Sequence, residues 1–424
     1  MAVPAIKKSV SVVAAAIPVP LAPPQHSVLS PLREPLFRML WVAAVISYTG
    51  SWMQNVATGW LMTSLTGSPL WVSLVQVALS LPVFLIALPA GALADMVDRR
   101  KFLLLTQSFM VAAAAVLGVL TVTGLVTPQL LLLLTFLLGA GAVMNDPAWQ
   151  ALTPDLVPSS KLGAAVALNS AGFNIARAVG PALGGAVIAA AGSGPTFLLN
   201  AVSFFGVILF LYHWKPGVRE RTHFSGSLSN AIGAGIRYAW QEPGIRAVLV
   251  RTLAFSLFAS AFWALLPLVA SCHTALGYGV ILACFGLGAL IGASLLPLAR
   301  RRMTDDGVVA LATVIFALAL FGLVHTESMA ISSSLCAGAA GLAWISIVAT
   351  LNFVAQKAAP AWVRARVISM YILVLQGGLA LGSWQWGILA SRIGVRFTLT
   401  AAAACLLGAM LLAPWYRLRE SNRG

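Results

Sequence analysis

The chain has 424 residues, 60% of them hydrophobic and only 9% charged, with a formal net charge of +15. That composition excludes a soluble globular domain and leaves a polytopic membrane protein. In a soluble chain the excess charge would suggest nucleic acid. Here all but three of the 26 Lys and Arg fall in the tails, in alternate loops or at the span ends adjoining them, on one side of the threading below, the membrane pattern, and no nucleic-acid patch is formed.

Residues 1–35 begin with Lys7 and Lys8, followed by an apolar piece from Val10 to Ala22 that Pro18 and Pro20 break and Pro23 and Pro24 close. A basic start before an apolar run is partly the pattern of a signal peptide. The prolines interrupt it, and Arg33 and Arg38 repeat the basic signal, so a disordered cytosolic tail is expected, with a targeting segment as the alternative.

Beyond the tail, apolar segments are predicted at 36–64, 70–94, 102–125, 128–151, 162–191, 195–213, 246–270, 277–299, 307–325, 328–354, 364–390 and 394–416. A hydrocarbon core about 30 Å thick takes roughly 20 helical residues, so these read as twelve transmembrane helices in an all-α polytopic protein. An even number places both termini on one side. Arg99 to Lys101, Lys161, the 214–245 segment, Arg300 to Arg302, and Lys357 with Arg364 and Arg366 alternate with nearly uncharged turns, which makes that side cytoplasmic. Arg392 and Arg396, in the last outer turn, depart from the rule.

The longest interior loop, 214–245, divides the spans into halves at 36–213 and 246–416, with a second cytoplasmic tail at 417–424. Leu228, Ile232, Ile236 and Trp240 recur at helical spacing within it, so an amphipathic helix at the inner surface is expected. The halves echo each other: the run from Gly180 to Ala189 parallels that from Leu379 to Ala390. Two similar six-span halves are the arrangement in which one half rocks against the other around a midplane site.

The chemistry available inside the membrane is sparse. Cys272, Cys284, Cys336 and Cys405 have no metal or redox spacing, and His26, His213, His223, His273 and His325 form no cluster, so neither a metal site nor a cofactor is expected. No nucleophile with a base, and no phosphate loop, is present, so no catalytic residue is assigned and the chain is read as not an enzyme. Arg177 lies mid-span, where a charge costs upward of about 2.5 kcal/mol. Either it faces an aqueous cavity and binds an anionic or polar substrate, or carbonyls and a carboxylate neutralise it as a structural tie. Asp146, ahead of Pro147, is the only acid placed in the hydrocarbon region and the candidate proton carrier, the alternative being a helix-end turn. Gln54, Asn55, Asn174 and Gln376 are candidates for the substrate cavity, and Asn169, Asn200 and Gln385 are further polar residues within spans. Trp384 and Trp386 could stack on an aromatic substrate or anchor the interface.

Two stretches carry a family pattern. Between spans two and three, Gly91 to Lys101 reads G-A-L-A-D-M-V-D-R-R-K, a tight hairpin in which Asp98, Arg99, Arg100 and Lys101 form an ionic cluster able to anchor a helix end or latch a moving half. In span five, Ala176, Gly180, Pro181, Gly184 and Gly185 make a bent, closely packing segment. The first resembles the conformational latch of the major facilitator superfamily, where Gly91, Asp95, Arg99 and Arg100 match and Met96 stands in place of an expected Arg. The second resembles that superfamily's antiporter motif, with Ala176 replacing its first Gly. Runs at Leu36, Gly50, Leu65, Asp146 and Phe197 resemble the branch that includes the bacterial enterobactin exporter. The resemblance implies the major facilitator fold in the bacterial inner membrane, and proton-driven export of a siderophore, drug-like or other amphipathic small molecule by a monomer. The partners it implies are that small molecule, protons and the lipid bilayer. An uptake symporter or uniporter, or a non-transporting scaffold or scramblase, are the alternatives.

Overall fold

In the computed structural model of the chain, the described residues are 27, 29–214, 241–270, 274–325, 330–360 and 363–418. They hold twelve long helices: α1 (Pro35–Leu65), α2 (Pro69–Met96), α3 (Arg99–Val122), α4 (Pro128–Gln150), α5 (Leu162–Ala191) and α6 (Ser193–His213). After the loop follow α7 (Pro243–Ala270), α8 (Ala275–Arg302), α9 (Asp305–His325), α10 (Ala330–Ala358), α11 (Arg364–Ile393) and α12 (Val395–Ala409). The amphipathic helix expected within 214–245, and nearly all of the first tail, lie outside the described residues.

Local chemistry sets the helix ends. Four helices start on proline, whose missing N–H is no loss in the first turn. Asp98, Thr127 and Thr274 accept from backbone N–H groups three residues on and cap α3, α4 and α8. The last span is shorter than expected: α12 ends at Ala409 and a single 3₁₀ turn, Met410–Leu412, precedes Pro414. Proline both lacks the donor and disfavours helix at the residue before it.

Eleven of the twelve helices are long and apolar enough to cross a membrane. The exception is α1, whose middle carries Ser47, Thr49, Ser51, Gln54 and Asn55. Those residues lower its hydropathy because part of the helix faces other helices and a cavity instead of lipid. Elsewhere large apolar side chains point outward, as Leu199, Val202, Phe205 and Leu209 do on α6, which a lipid surround accepts.

The packing repeats. In the first six helices α1 packs on α5 and α6, α2 on α4, and α3 on α4 and α6. In the last six α7 packs on α11 and α12, α8 on α10, and α9 on α10 and α12, the same pattern moved by six. Between halves the main contacts are α2 with α11 and α5 with α8, which exchange under the same shift. Gly192 (φ 85°) joins α5 to α6 and Gly394 (φ 84°) joins α11 to α12, each as a one-residue turn in a backbone region that side chains disfavour. Counted back from these turns, Gly180 matches Gly382 and Gly185 matches Gly387. The echo is therefore offset from the pairing of Gly180 with Leu379 that the apolar runs suggested.

The matching glycines do matching work. Gly180 lies against Trp52 and Thr49 of α1, and Gly382 lies against Leu257 and Ser260 of α7. Gly185 touches Ala275 and Gly279 of α8, and Gly387 touches Ser73 and Leu70 of α2. The last two contacts join the halves at the end of the bundle away from Arg99, Lys161, Arg300 and Arg364. Trp60, stacked on Tyr278 at 6.2 Å, joins them at the same end.

Candidate functional site

A cavity of about 570 Å³ lies between the halves, walled by α1 to α8, α10 and α11. Its apolar walls include Trp52, Phe173, Phe204, Trp263, Phe285 and Trp344. Trp52 meets Phe173 edge-on at 6.2 Å, and Tyr48 meets the same ring at 5.5 Å. Across the cavity Trp263 meets Phe285 at 4.7 Å and Trp344 at 5.7 Å. Each half thus contributes one aromatic wall.

The polar lining falls into two groups. Gln54 accepts from Asn200 Nδ2 at 2.6 Å, tying α1 to α6, and Gln76 donates to Ser80 Oγ at 2.9 Å along α2. These groups satisfy one another. By contrast, Arg177 forms no hydrogen bond or ion pair with any described residue, and its Nε is enclosed without a partner. Trp263 Nε1 on α7 is likewise buried and unpartnered. Asp146 opens onto the cavity from α4 and pairs with no described cation. Beneath it, Asn145 Oδ1 accepts from Thr106 at 3.2 Å and Gln107 at 3.1 Å, which fixes α4 against α3.

Of the residues singled out by sequence, Gln54, Asn55, Asp146, Arg177 and Gln376 line this one cavity. Asn174 does not, because its amide donates to Ser170 O one turn back on its own helix. Trp384 is exposed on the outer surface, and Trp386 donates to Leu257 O at 2.8 Å as a tie between α11 and α7. Neither stacks in the cavity. Gln76, Ser80, Trp52, Trp263 and Trp344 are lining residues that the sequence reading missed. A tryptophan or a lone polar residue in an apolar run has the same local pattern whether it anchors the interface, ties helices or faces a cavity.

At the basic-loop end, Asp98 caps α3 by accepting from Lys101 N at 2.9 Å, and Arg99 lies 3.7 Å from Asp155. Arg100 donates to Leu211 O at 2.7 Å and Tyr212 O at 2.5 Å, closing the last turn of α6. All three contacts stay within the first half. Gly91 and Asp95 fall in the last turns of α2, and their side-chain surroundings lie outside what is described. In the second half Arg300 stacks over Phe353 at 4.3 Å, donates to Ala349 O and faces Asp305, while Arg251 pairs with Asp306. In span five, Ala176, Gly180, Pro181, Gly184 and Gly185 are all buried. Gly184 lies on Met53 of α1, and the Pro181 carbonyl lies against Gly279 of α8.

Two repeated six-helix halves around a shared cavity are matched by the comparisons with known proteins. The family profile described as "Transmembrane secretion effector" matches residues 26–423. The chain belongs to this family of the major facilitator superfamily. It is 27% identical to the multidrug efflux pump Tap of Mycolicibacterium fortuitum over 402 residues, 92% of this chain and 97% of the relative. It is 24% identical to the staphyloferrin A transporter of Staphylococcus aureus over 362 residues, 83% of this chain and 89% of the relative. Among solved structures, a bacterial homologue of the lysosomal transporter Spinster superposes with a TM-score of 0.70 at 14% identity, covering 91% of this chain and 97% of the other. An auto-inhibited peptide transporter of the POT family superposes at 0.72, also at 14% identity, covering 92% and 98%. The family member described here is thus a multi-pass membrane protein and a secondary transporter of small molecules, not an enzyme.

Proposed function

We propose that this transporter exports an amphipathic small molecule, of siderophore or drug-like kind, across a bacterial cytoplasmic membrane in exchange for protons. The observation that carries the reading is the cavity between the halves, walled by rings and holding one unpaired carboxylate and one unpaired guanidinium at membrane depth. Burying either charge in lipid is costly, so a solute path accounts for both. Asp146 is assigned the proton, and Arg177, Gln54, Asn55 and Gln376 the solute. Family membership and the printed name of one relative, a multidrug efflux pump, support the outward direction, and the other relative, a staphyloferrin A transporter, supports a small-molecule solute.

In this reading helices α1–α6 and α7–α12 are the moving halves, and both termini lie in the cytoplasm with the basic loops. The glycine contacts at the opposite end close the outer side, so the conformer described is the one that loads from within. Of the span-five motif, Pro181 and Gly185 form that seal against α8 while Gly180 and Gly184 hold α5 to α1 of its own half, and Gly91, Asp95, Asp98, Arg99 and Arg100 anchor the inner end.

The test uses cells producing the protein and loaded with fluorescent amphiphiles of both signs, a naphthalene sulfonate and a phenanthridinium. Adding a protonophore should raise accumulation of a transported dye, and a fall would indicate uptake instead. Proteoliposomes with an imposed proton gradient should move that dye, and Asp146→Asn should abolish the dependence on the gradient. Unchanged gradient-driven movement in Asp146→Asn removes that carboxylate from the mechanism, and no movement by the unsubstituted protein sinks the transport reading in favour of a scaffold.

A further inference from the structure

Among the described residues that line the cavity, the enclosed polar side-chain atoms left without a partner are both donors. Arg177 has donors and no acceptor, and the indole of Trp263 has one donor and no acceptor. Both carry an enclosed nitrogen with no partner among the described residues. A buried donor left unsatisfied costs on the order of 1–3 kcal/mol, and more where the group is charged, so two of them beside one cavity need an occupant or a second conformer to relieve them. Two of the lining acceptors are engaged, Gln54 Oε1 by the Asn200 amide and Ser80 Oγ by the Gln76 amide, and the Asp146 carboxylate opens onto the cavity rather than being enclosed.

The two donors come from opposite halves, and their residues pack on adjacent positions of α8. The backbone of Arg177 and Ala178 lies directly on Gly286, where an added Cβ would stand 2.8 Å from the Arg177 carbonyl oxygen. The ring of Trp263 packs 4.7 Å from Phe285, the preceding residue. A group held between Arg177 and Trp263 therefore sits where α5 crosses α8, flanked by the rings of Trp52 and Phe173 on one wall and of Phe285 and Trp344 on the other.

We propose that the ligand of this site is an amphipathic aromatic anion, whose acceptor-only head group is held jointly by Arg177 and Trp263 while its ring system lies between the two aromatic walls. The assignment rests on the export reading and names the substrate class of the same cavity. A guanidinium is suited to it because its planar fork presents paired donors to a carboxylate or similar oxyanion. A cationic amphiphile would find Asp146 but would share the cavity with an uncompensated Arg177, and a neutral one would leave the guanidinium unpaired.

Three ligands sharing one ring system isolate the head group: 2-naphthoate, 2-naphthamide and 2-naphthylmethylammonium, titrated calorimetrically into the purified full-length protein. Naphthoate should bind about tenfold or more tighter than the amide, the worth of a charge-assisted bond. Arg177→Gln should erase that ratio while leaving amide binding in place, and Arg177→Lys should keep part of it. Trp263→Phe, which retains the ring and removes the donor, should lower the ratio severalfold, and it decides the matter alone if Arg177→Gln does not fold. Preference for the ammonium, a naphthoate preference that survives Arg177→Gln, or no binding of any of the three overturns the assignment. An ammonium preference leaves export intact, whereas naphthoate selectivity without gradient-driven transport would sink the export reading and spare the site.

Discussion

Alanine at Gly185 is the sharpest way to ask whether the α5–α8 crossing closes one end of the cavity. Its methyl would lie 2.7 Å from the Ala275 carbonyl oxygen and 3.0 Å from Gly279 Cα. Non-bonded heavy atoms settle at about 3.5–4.0 Å, and both obstacles are backbone, which cannot rotate aside. The helices must part by roughly 0.5–1 Å, and overpacking of this kind costs about 1–3 kcal/mol. Because the contact exists only while the halves touch at this end, the cost falls on one conformer and shifts the conformational ratio by ~5–150-fold. Gly180→Ala is the matched control. Its methyl would lie 2.6 Å from Trp52 Cβ and 3.0 Å from Thr49 O, both on α1 of the same half, so the strain is present in both conformers and lowers stability without moving the ratio. Spin labels at Leu125 and Ile331, exposed residues of the two halves at the glycine-sealed end, report the opening by electron–electron distance measurement in a protein with its native cysteines replaced. Gly185→Ala should populate longer distances at the expense of the present one. Identical distance distributions for Gly185→Ala and the parent, or the same change in Gly180→Ala, would refute the assignment of this crossing as a seal.

Other substitutions test the ties inside each half. Arg100→Ala removes two bonds to the carbonyls ending α6 and should lower stability by about 1–3 kcal/mol in thermal unfolding, while the spin-label distances stay put because both partners belong to one half. Gly394→Ala forces a side chain into a glycine-only backbone region and should cost about 1–3 kcal/mol, seen as a lower unfolding temperature with unchanged helix content. Asn200→Ala strips the partner from the buried Gln54 Oε1; a loss of about 1–3 kcal/mol is expected, and restoration by Gln54→Leu in the same background would confirm that the orphaned acceptor, not lost volume, is responsible.

The helices were legible because lipid leaves a chain few options: each backbone polar group must be satisfied within its own segment, so a span shows as a long apolar run. Even α1 was found, although its polar middle leaves it without the long apolar stretch that the other eleven have. Charged residues within spans stood out for a related reason, since burial in lipid is costly; the sequence left a tie or a helix-end turn as alternatives, and the fold puts both Asp146 and Arg177 on the cavity. Amides were harder. Gln54, Gln376 and Asn174 look alike in sequence, but Asn174 satisfies itself on the Ser170 carbonyl, and only coordinates separate that outcome from a cavity-facing one. Tryptophans were not separable at all: Trp386 ties two helices, Trp384 faces outward, and Trp263 lines the cavity. The internal repeat was visible but misregistered, because apolar runs tolerate slippage while the turn glycines, fixed by backbone conformation, do not.

The distribution of polar contacts explains how such a bundle can hold together and still move. Among the described residues, each hydrogen bond or ion pair that a side chain makes between two long helices stays within a half. Arg100 reaches α6, Asn200 reaches α1, Arg251 reaches α9, Arg300 and Tyr371 reach α10, and Trp386 reaches α7. The contacts between halves are of another kind: glycine against backbone at Gly185, Gly279 and Gly286, glycine against a side chain at Gly387 (Ser73), Gly377 (Phe84) and Gly59 (Tyr278 and Pro267), and a stacked ring pair. Van der Waals contacts are individually worth only about 0.1–0.2 kcal/mol per atom pair, and side chains seated on glycines have little to repack when the surfaces separate. On the proposed export reading, directional bonds inside each half and smoother contacts between them would let the two halves move as stiff bodies about a soft joint. A cavity at that joint, with unpartnered donors from both bodies, is where a bound solute can bias which end stays closed, since its bonds to Arg177 and Trp263 depend on how far apart the two halves stand.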